Sequence, residues 1–332
     1  MIVIIYDDLA FSFTKVARLL KKGLEMIGYR NIAMVSSHTV ISIPRSAKGI
    51  VIGDTAWFAI SKEHMRFVKS FDKLVLWTDS PVDPEWIAQH YGYEDVCHYV
   101  CLRAWCNEYR KRGIRCDGWV PRMVDVEVVK QVISIDRCEL CKDLWNRYGR
   151  YILTVGSDHQ FGQSRPPRKG IDAYDTACGV LKTRYNIRCL YVGSNKVRNA
   201  HQVTHHGGLS EFELLRLMRC AEVFVWASRS EGFGMPPMEA MAVGTIVVAS
   251  NAPFNEHIYG IKFDYTNVVK SYCPAVQMPY VLWDYTLDNL VEAIEYALDL
   301  PPDDKEEMRS RAMQYASKFF ASDIIAEAIV RL

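Results

Sequence analysis

No run of uncharged apolar residues in this 332-residue chain approaches the roughly 18 that a membrane-spanning helix needs. Net charge is nearly absent too. Forty Lys and Arg against 39 Asp and Glu leave +1, so no basic field exists to recruit nucleic acid by counterion release. The opening MIVIIYDD has no basic stretch, its apolar run is short for a signal peptide, and two aspartates end it. A cytoplasmic location is therefore expected. No G-x-G-x-x-G follows this first apolar run, which disfavours a nicotinamide-dependent dehydrogenase.

Cysteine, by contrast, is plentiful, with ten residues scattered along the chain and no clustered disulfide framework. Cys138 and Cys141 make a CxxC, but no second CxxC or finger-spaced histidine pair accompanies them. They are expected to be small buried hydrophobes, and no metal site is expected. An intracellular disulfide of the hyperthermophile kind stays open. At 332 residues the chain exceeds one ordinary core, and 49% hydrophobic with 24% charged residues is normal for a soluble globular protein. Two domains are expected.

The pattern along the chain is a short apolar run followed by an amphipathic helix, repeated. IVIIY (2–6) reads as a buried parallel strand, and Val16, Leu19, Leu20, Leu24 and Ile27 then recur at helical spacing. NIAMVSS, GIVIGD, KLVLWTD and VCHYVCL continue the strands. Residues 126–150 read as a connecting segment rich in charge, after which RYILTVGSD, RCLYVGSN, EVFVWAS and TIVVAS restart the alternation. Continuous apolar strands separated by helices mean a parallel sheet covered on both faces. The expectation is an α/β protein of two facing, doubly wound, Rossmann-like domains (1–125 and 151–315) with a cleft between them. A last helix (316–332) is expected to cross back to the first domain.

In open α/β sheets ligands bind beyond the carboxyl ends of the strands, so the loops after strands carry the candidates. One is SEGFGMPPMEA, directly after EVFVWAS. Gly232 and Gly234 allow the backbone to approach a ligand, and a proline suits the first helical turn behind them. The N–H groups of residues 233–235 then lie where an anion would be received, at a helix N-terminus. Glu231 and Glu239 bracket the turn. The bland alternative is a tight strand-to-helix connection with one solvated and one dipole-stabilising glutamate. A second loop, VGSDHQFGQSRPPRKGID, brings Arg165, Arg168 and Lys169 beside Gly170 at the end of another strand. Basic side chains opposite such amides suit a diphosphate.

SEGFGMPPMEAMAVGTIVVAS resembles the E-x7-E signature of retaining glycosyltransferases of the GT-B fold, family 4 type, and RPPRKGID is similar to that family's basic element. The resemblance covers about residues 150–315. It implies that Lys169, with Arg165 or Arg168, neutralises the diphosphate of a nucleotide-sugar donor (a UDP- or GDP-sugar). It further implies that Glu231 binds hydroxyls of the transferred sugar, with the amides of Phe233, Gly234 and Met235 nearby. Glu239 is implied to accept from both ribose hydroxyls. The implied activity is retaining transfer to an acceptor (saccharide, lipid or protein) without metal or other cofactor. A sugar-nucleotide epimerase and a non-catalytic nucleotide-sugar-binding protein are the alternatives.

Ser157, His159, His98 and Asp79 are secondary candidates, because each lies in or next to a strand end. A structural histidine, a turn or a cap explains such residues equally well. Lys15, Arg18 and Lys22 share one face of the first helix, with Lys21 adjoining, and YRKRGIR adds a second basic stretch. They read as a solvated face or as a surface for peripheral contact with an anionic membrane.

Overall fold

Short runs of β-branched and aliphatic residues with no polar alternation suit strands hidden on both faces, and the computed structural model buries β-strands such as Ile2–Tyr6, Val223–Trp226 and Ile246–Ser250 in this way. It describes residues 1–8, 11–38, 47–53, 71, 73–78, 86, 96–157, 166–204, 208–273 and 278–332. The chain divides into two units, Met1–Asp125 with Phe319–Leu332, and Val126–Lys318.

The first unit is built on a six-stranded sheet of β1 (Ile2–Tyr6), β2 (Ile32–Ser36), β3 (Lys48–Ile52), β4 (Lys73–Thr78), β5 (Cys97–Val100) and β6 (Gly118–Trp119). All neighbours are parallel, in the order β2-β1-β3-β4-β5-β6. Helix α1 (Phe11–Met26) packs on the C-terminal helix Ser322–Arg331. The approach is close because Gly23 has no side chain: a Cβ there would lie 2.3 Å from the Ser322 carbonyl oxygen. Lys48 donates to the carbonyls of Ile329 and Val330 at 3.0 and 2.9 Å, satisfying acceptors that a helix end leaves open.

The basic residues considered for membrane contact are largely paired within this unit. Lys22 binds both carboxylate oxygens of Asp125 at 2.8 and 3.0 Å, and Lys21 pairs with Glu25. Lys111 and Arg112 share Glu108, and Arg115 meets Asp117. Four local acids thus pair with five of the eight basic residues of these two stretches.

The second unit repeats the architecture with a different strand order. Strands β7 (Tyr151–Val155), β8 (Arg188–Val192), β9 (His201–Thr204), β10 (Val223–Trp226), β11 (Ile246–Ser250) and β12 (Ile261–Phe263) are ordered β12-β11-β10-β7-β8-β9, again all parallel. The order reverses between β7 and β10, which makes that point the switch where ligands enter such sheets. An antiparallel hairpin, β13 (Asn267–Cys273) with β14 (Met278–Asp284), is absent from the sequence expectation. Tyr280, Leu282 and Trp283 are buried while Val268 and Tyr272 are exposed, but NVVKSYC and MPYVLWD themselves show no regular apolar–polar alternation, so periodicity gave no signal.

Residues 126–148 form α2 (Val126–Ser134) and α3 (Arg137–Tyr148), grouped with the second unit. They pack on α5 (Glu211–Cys220), whose N-terminus is capped by Ser210 and Glu213 in a reciprocal capping box. Its C-terminal carbonyls take donors from around the unit. Tyr151 reaches Leu217, Thr245 reaches Met218, Arg137 reaches Arg219 and Ala221, and the Trp145 indole N–H reaches Cys220.

Cysteine departs from expectation here. Cys138 is exposed, and Cys141 is bonded to Cys220, with Cα atoms 5.4 Å apart across 79 residues of sequence. Cys106 and Cys116 form a second disulfide. Spacing along the chain could not reveal the first bond, because packing of α3 against the end of α5 creates it. Cys178 and Cys189 do remain buried thiols.

Candidate functional site

The two loops that flank the switch point come together at the carboxyl ends of β7 and β10. Helix α4 (Ile171–Arg184) begins from Gly170, which is left-handed at φ +65°. A Cβ at Gly170 would stand 1.9 Å from the carbonyl oxygen of Ala227, just past β10. Only glycine permits this approach. Beside it, the backbone N–H of Arg229 donates to the Arg168 carbonyl at 2.7 Å and zips the loops together.

Three of the expected residues meet there. Lys169 Nζ lies 2.6 Å from Glu231 Oε1, and Arg168 Nη1 lies 3.4 Å from Oε2 while donating to the Ser230 carbonyl at 2.9 Å. Ser228 Oγ donates to Glu231 Oε1 at 2.7 Å. Burial alone would raise the Glu231 carboxyl, but the charges of Lys169 and Arg168 with these hydrogen bonds outweigh it and hold the group below the usual carboxylate range. Glu231 is therefore an anion inside the protein, at 6% exposure. Lys169 also sits 5.6 Å from the centre of the Trp226 ring, whose face attracts a cation.

The turn behind Glu231 is set by packing. Phe233 is buried and stacked on His257 at 4.2 Å, so its side chain anchors the turn and its ring points inward. Burial, then the charge of Lys262, lowers the His257 pKa to about 3, so this ring stays neutral. Gly234, left-handed at φ +80°, is the N-cap of α6 (Met235–Ala242) and rests on Trp226. Pro236 and Pro237 fill the first turn and carry no N–H, which leaves Met235 as the first-turn N–H donor. Glu239 lies on the second turn and is buried at 3% exposure. With Glu231 buried as well, neither is the solvated glutamate of the bland alternative. Gly232 links Glu231 to this turn.

The secondary candidates separate. Ser157, at the end of β7, accepts from the Ser194 N–H at 3.0 Å and bonds its hydroxyl at 2.8 Å, joining the β7 and β8 ends. His98 is in the first unit, fully buried. Its Nδ1 faces the Arg115 carbonyl at 2.7 Å, which requires the proton there, so Nε2 accepts from Thr78 Oγ1 at 2.9 Å. Burial lowers its pKa to about 4, and the ring stacks on Tyr109. His98 is thereby a satisfied core histidine. Asp79, His159 and Arg165 lie outside the described residues. Ser228, Trp226 and His257 were missed by sequence reading. Ser228 and Trp226 sit next to the motif and carry no signal of their own, and His257 reaches the turn only through the fold.

Among the described residues one group has metal-ligand geometry: Asp7 and Asp8 after β1, and His38 after β2. Their ligand atoms all lie within 4.8 Å of one another, on the first unit and exposed or half exposed.

Residues 163–319 match the sequence profile of the family described as "Glycosyl transferases group 1". The chain is similar to the "Putative glycosyltransferase ORF313" of Acidianus filamentous virus 1, 26% identical over 231 residues that cover 68% of each protein. A stretch of 134 residues is 28% identical to the serotype-specific mannosyltransferase WbdA of Escherichia coli, covering 36% of this chain and 16% of that one. Among solved structures, WaaG, a glycosyltransferase involved in lipopolysaccharide biosynthesis, aligns over 99% of both chains with a TM-score of 0.66 at 15% identity. The α,α-trehalose-phosphate synthase of Burkholderia xenovorans aligns over 100% of this chain and 99% of its own, with a TM-score of 0.68 at 10% identity.

Proposed function

We propose that this chain moves a sugar, with retention, from a nucleoside diphosphate sugar to an acceptor, since residues 163–319 match the glycosyl transferases group 1 family and the fold is GT-B. The observation that carries this reading is the Lys169–Glu231–Arg168 cluster at the switch point, 2.6 and 3.4 Å across. Breaking the bond from anomeric carbon to diphosphate builds negative charge on phosphate and oxocarbenium character on the sugar. A desolvated, fixed cation stabilises the first most in the transition state. Lys169 and Arg168 supply that charge, and Glu231 accepts from sugar hydroxyls beside them. Glu239 is assigned to the ribose hydroxyls. The acceptor hydroxyl attacks from the face the diphosphate leaves and passes its proton to a leaving phosphate oxygen. Two carboxylates acting as a glycosidase acid and nucleophile fit less well, since Glu231 is held ionised by two cations and is not poised to protonate a leaving group.

Incubation with radiolabelled nucleotide sugars tests the reading, with GDP-mannose included because a relative is a mannosyltransferase. Slow release of free sugar from one donor supports a transferase. Interconversion of the nucleotide sugar indicates an epimerase, and binding without turnover indicates a non-catalytic protein. Activity is expected to survive EDTA, because the cations at the cluster are side chains. Loss reversed by Mg²⁺ would overturn that and direct attention to Asp7, Asp8 and His38.

A further inference from the structure

Arg229 is the least expected feature near the cluster. It immediately follows Ser228, is 5% exposed, and its guanidinium serves three chain segments at once. Nη1 donates to the Pro167 carbonyl at 2.7 Å and, with Nη2, grips the Asp172 carboxylate in the first turn of α4 at 2.9 and 3.3 Å. Nε donates to Asp284, the last residue of β14, at 2.8 Å. The guanidinium also lies over the Tyr285 ring, 4.9 Å from its centre. Its backbone continues the pattern, with the N–H on the Arg168 carbonyl and the carbonyl accepting from Trp283 N–H at 2.8 Å.

Four of the five guanidinium donors are thus engaged, and three of these bonds end on Pro167 and Asp172, in the segment that carries Lys169. Desolvating such a cation is costly, and a well-packed apolar residue often serves stability as well or better. Here the fixed fork gives something an apolar residue cannot: it sets distances among three backbones. Resting on the reading of the cluster as a donor site, we propose that Arg229 is its positioning residue. It locks the 167–169 loop and the 228–231 strand end in the register that puts Lys169 against Glu231. It contacts neither substrate nor reacting atoms.

Stability and function should separate on its removal. Asp172 and Asp284 are 43% and 32% exposed, so each can regain water when the arginine is lost, and the cost to folding is modest. The cluster has no such recourse, since a shift of about 1 Å in a catalytic group can cost about a hundredfold in rate.

The test uses Arg229→Met and Arg229→Lys in the full chain, with UDP and GDP titrated by calorimetry and thermal melts taken from neutral to acid pH. Wild type should bind one nucleotide; if it binds neither, the donor-site reading falls, while the melts still judge Arg229. The groups facing Glu231 are Lys169 and Arg168 from one loop and the Ser228 hydroxyl from the other. Their hold depresses the carboxyl, so the stability it contributes is present at neutral pH and lost as pH falls through the depressed value. In Arg229→Met that acid loss should begin at higher pH, and adding Glu231→Gln should abolish the difference. Turnover with the accepted donor should drop about a hundredfold with little change in KM, and Arg229→Lys should recover part of it. If Arg229→Met fails to fold, Asp284→Asn, which keeps the guanidinium but weakens its anchor, should show the same shift in smaller measure. A melting temperature lowered equally at all pH, with unchanged acid midpoint and nucleotide binding, would overturn the proposal.

Discussion

Lys169→Ala is expected to cut turnover by about 10²–10³-fold, or about 3–4 kcal/mol of transition-state stabilisation, as removal of other preorganised charge-stabilising donors does. The magnitude follows from where the ammonium sits. It is 18% exposed, 2.6 Å from Glu231 and over the Trp226 ring, so its position is fixed before a ligand arrives. A surface lysine free to swing would contribute far less. Because the diphosphate gains further negative charge as the bond breaks, kcat should fall more than nucleotide affinity does. The pH profile supplies a second check. Without Lys169, burial again favours the neutral form of Glu231, with Arg168 as its remaining cationic partner. The carboxyl then rises, and the acid limb of activity moves to higher pH. Steady-state kinetics with any accepted donor decides the matter, and unchanged turnover would remove Lys169 from the site.

The second large effect is on stability. Reducing the Cys141–Cys220 bond, or replacing Cys141 by alanine, is expected to cost the second unit about 4 kcal/mol. That figure is the entropy released to an unfolded chain no longer closed into a loop of 79 residues. For a unit of this size the melting temperature should fall by roughly 10 °C. Cys106–Cys116 closes a loop of only ten residues and should contribute less, about 3 kcal/mol. Both partners of the longer bond are buried, so reduction should require partial opening and be slow in the native state. Calorimetry of wild type with and without reductant, beside Cys141→Ala, tests this. Identical melting of wild type under oxidising and reducing conditions would show that the pair contributes nothing. Such bonds are uncommon in reducing cytosol outside hyperthermophiles, so the thiol content of protein isolated under native conditions bears directly on the expected cytoplasmic location.

Much was legible in the sequence because it is local. A strand buried on both faces must be written in consecutive apolar residues, and a helix that covers it must repeat its apolar positions at about 3.6. IVIIY, EVFVWAS and TIVVAS therefore announced their strands, and the Ser210 cap announced its helix. The turn after EVFVWAS was legible for a similar reason: left-handed backbone at Gly234 and proline in a first helical turn are requirements of a single short segment.

What the tertiary structure alone decided depends on segments distant in the chain. Lys169 and Glu231 are 62 residues apart, and nothing in either loop states that one neutralises the other. Their meeting follows from β7 and β10 being neighbours at the switch point, and from Gly170 pressing its loop onto the Ala227 carbonyl. His98 was singled out and His257 was not, yet His98 is locked between Thr78 and the Arg115 carbonyl while His257 lies under Phe233 beside the candidate site. Arg229 carries no signal of its own in the sequence, and its partners Pro167, Asp172 and Asp284 are supplied only by the fold. Side-chain type is local, whereas burial, partner and charge state are set by whatever the fold brings within a few ångströms.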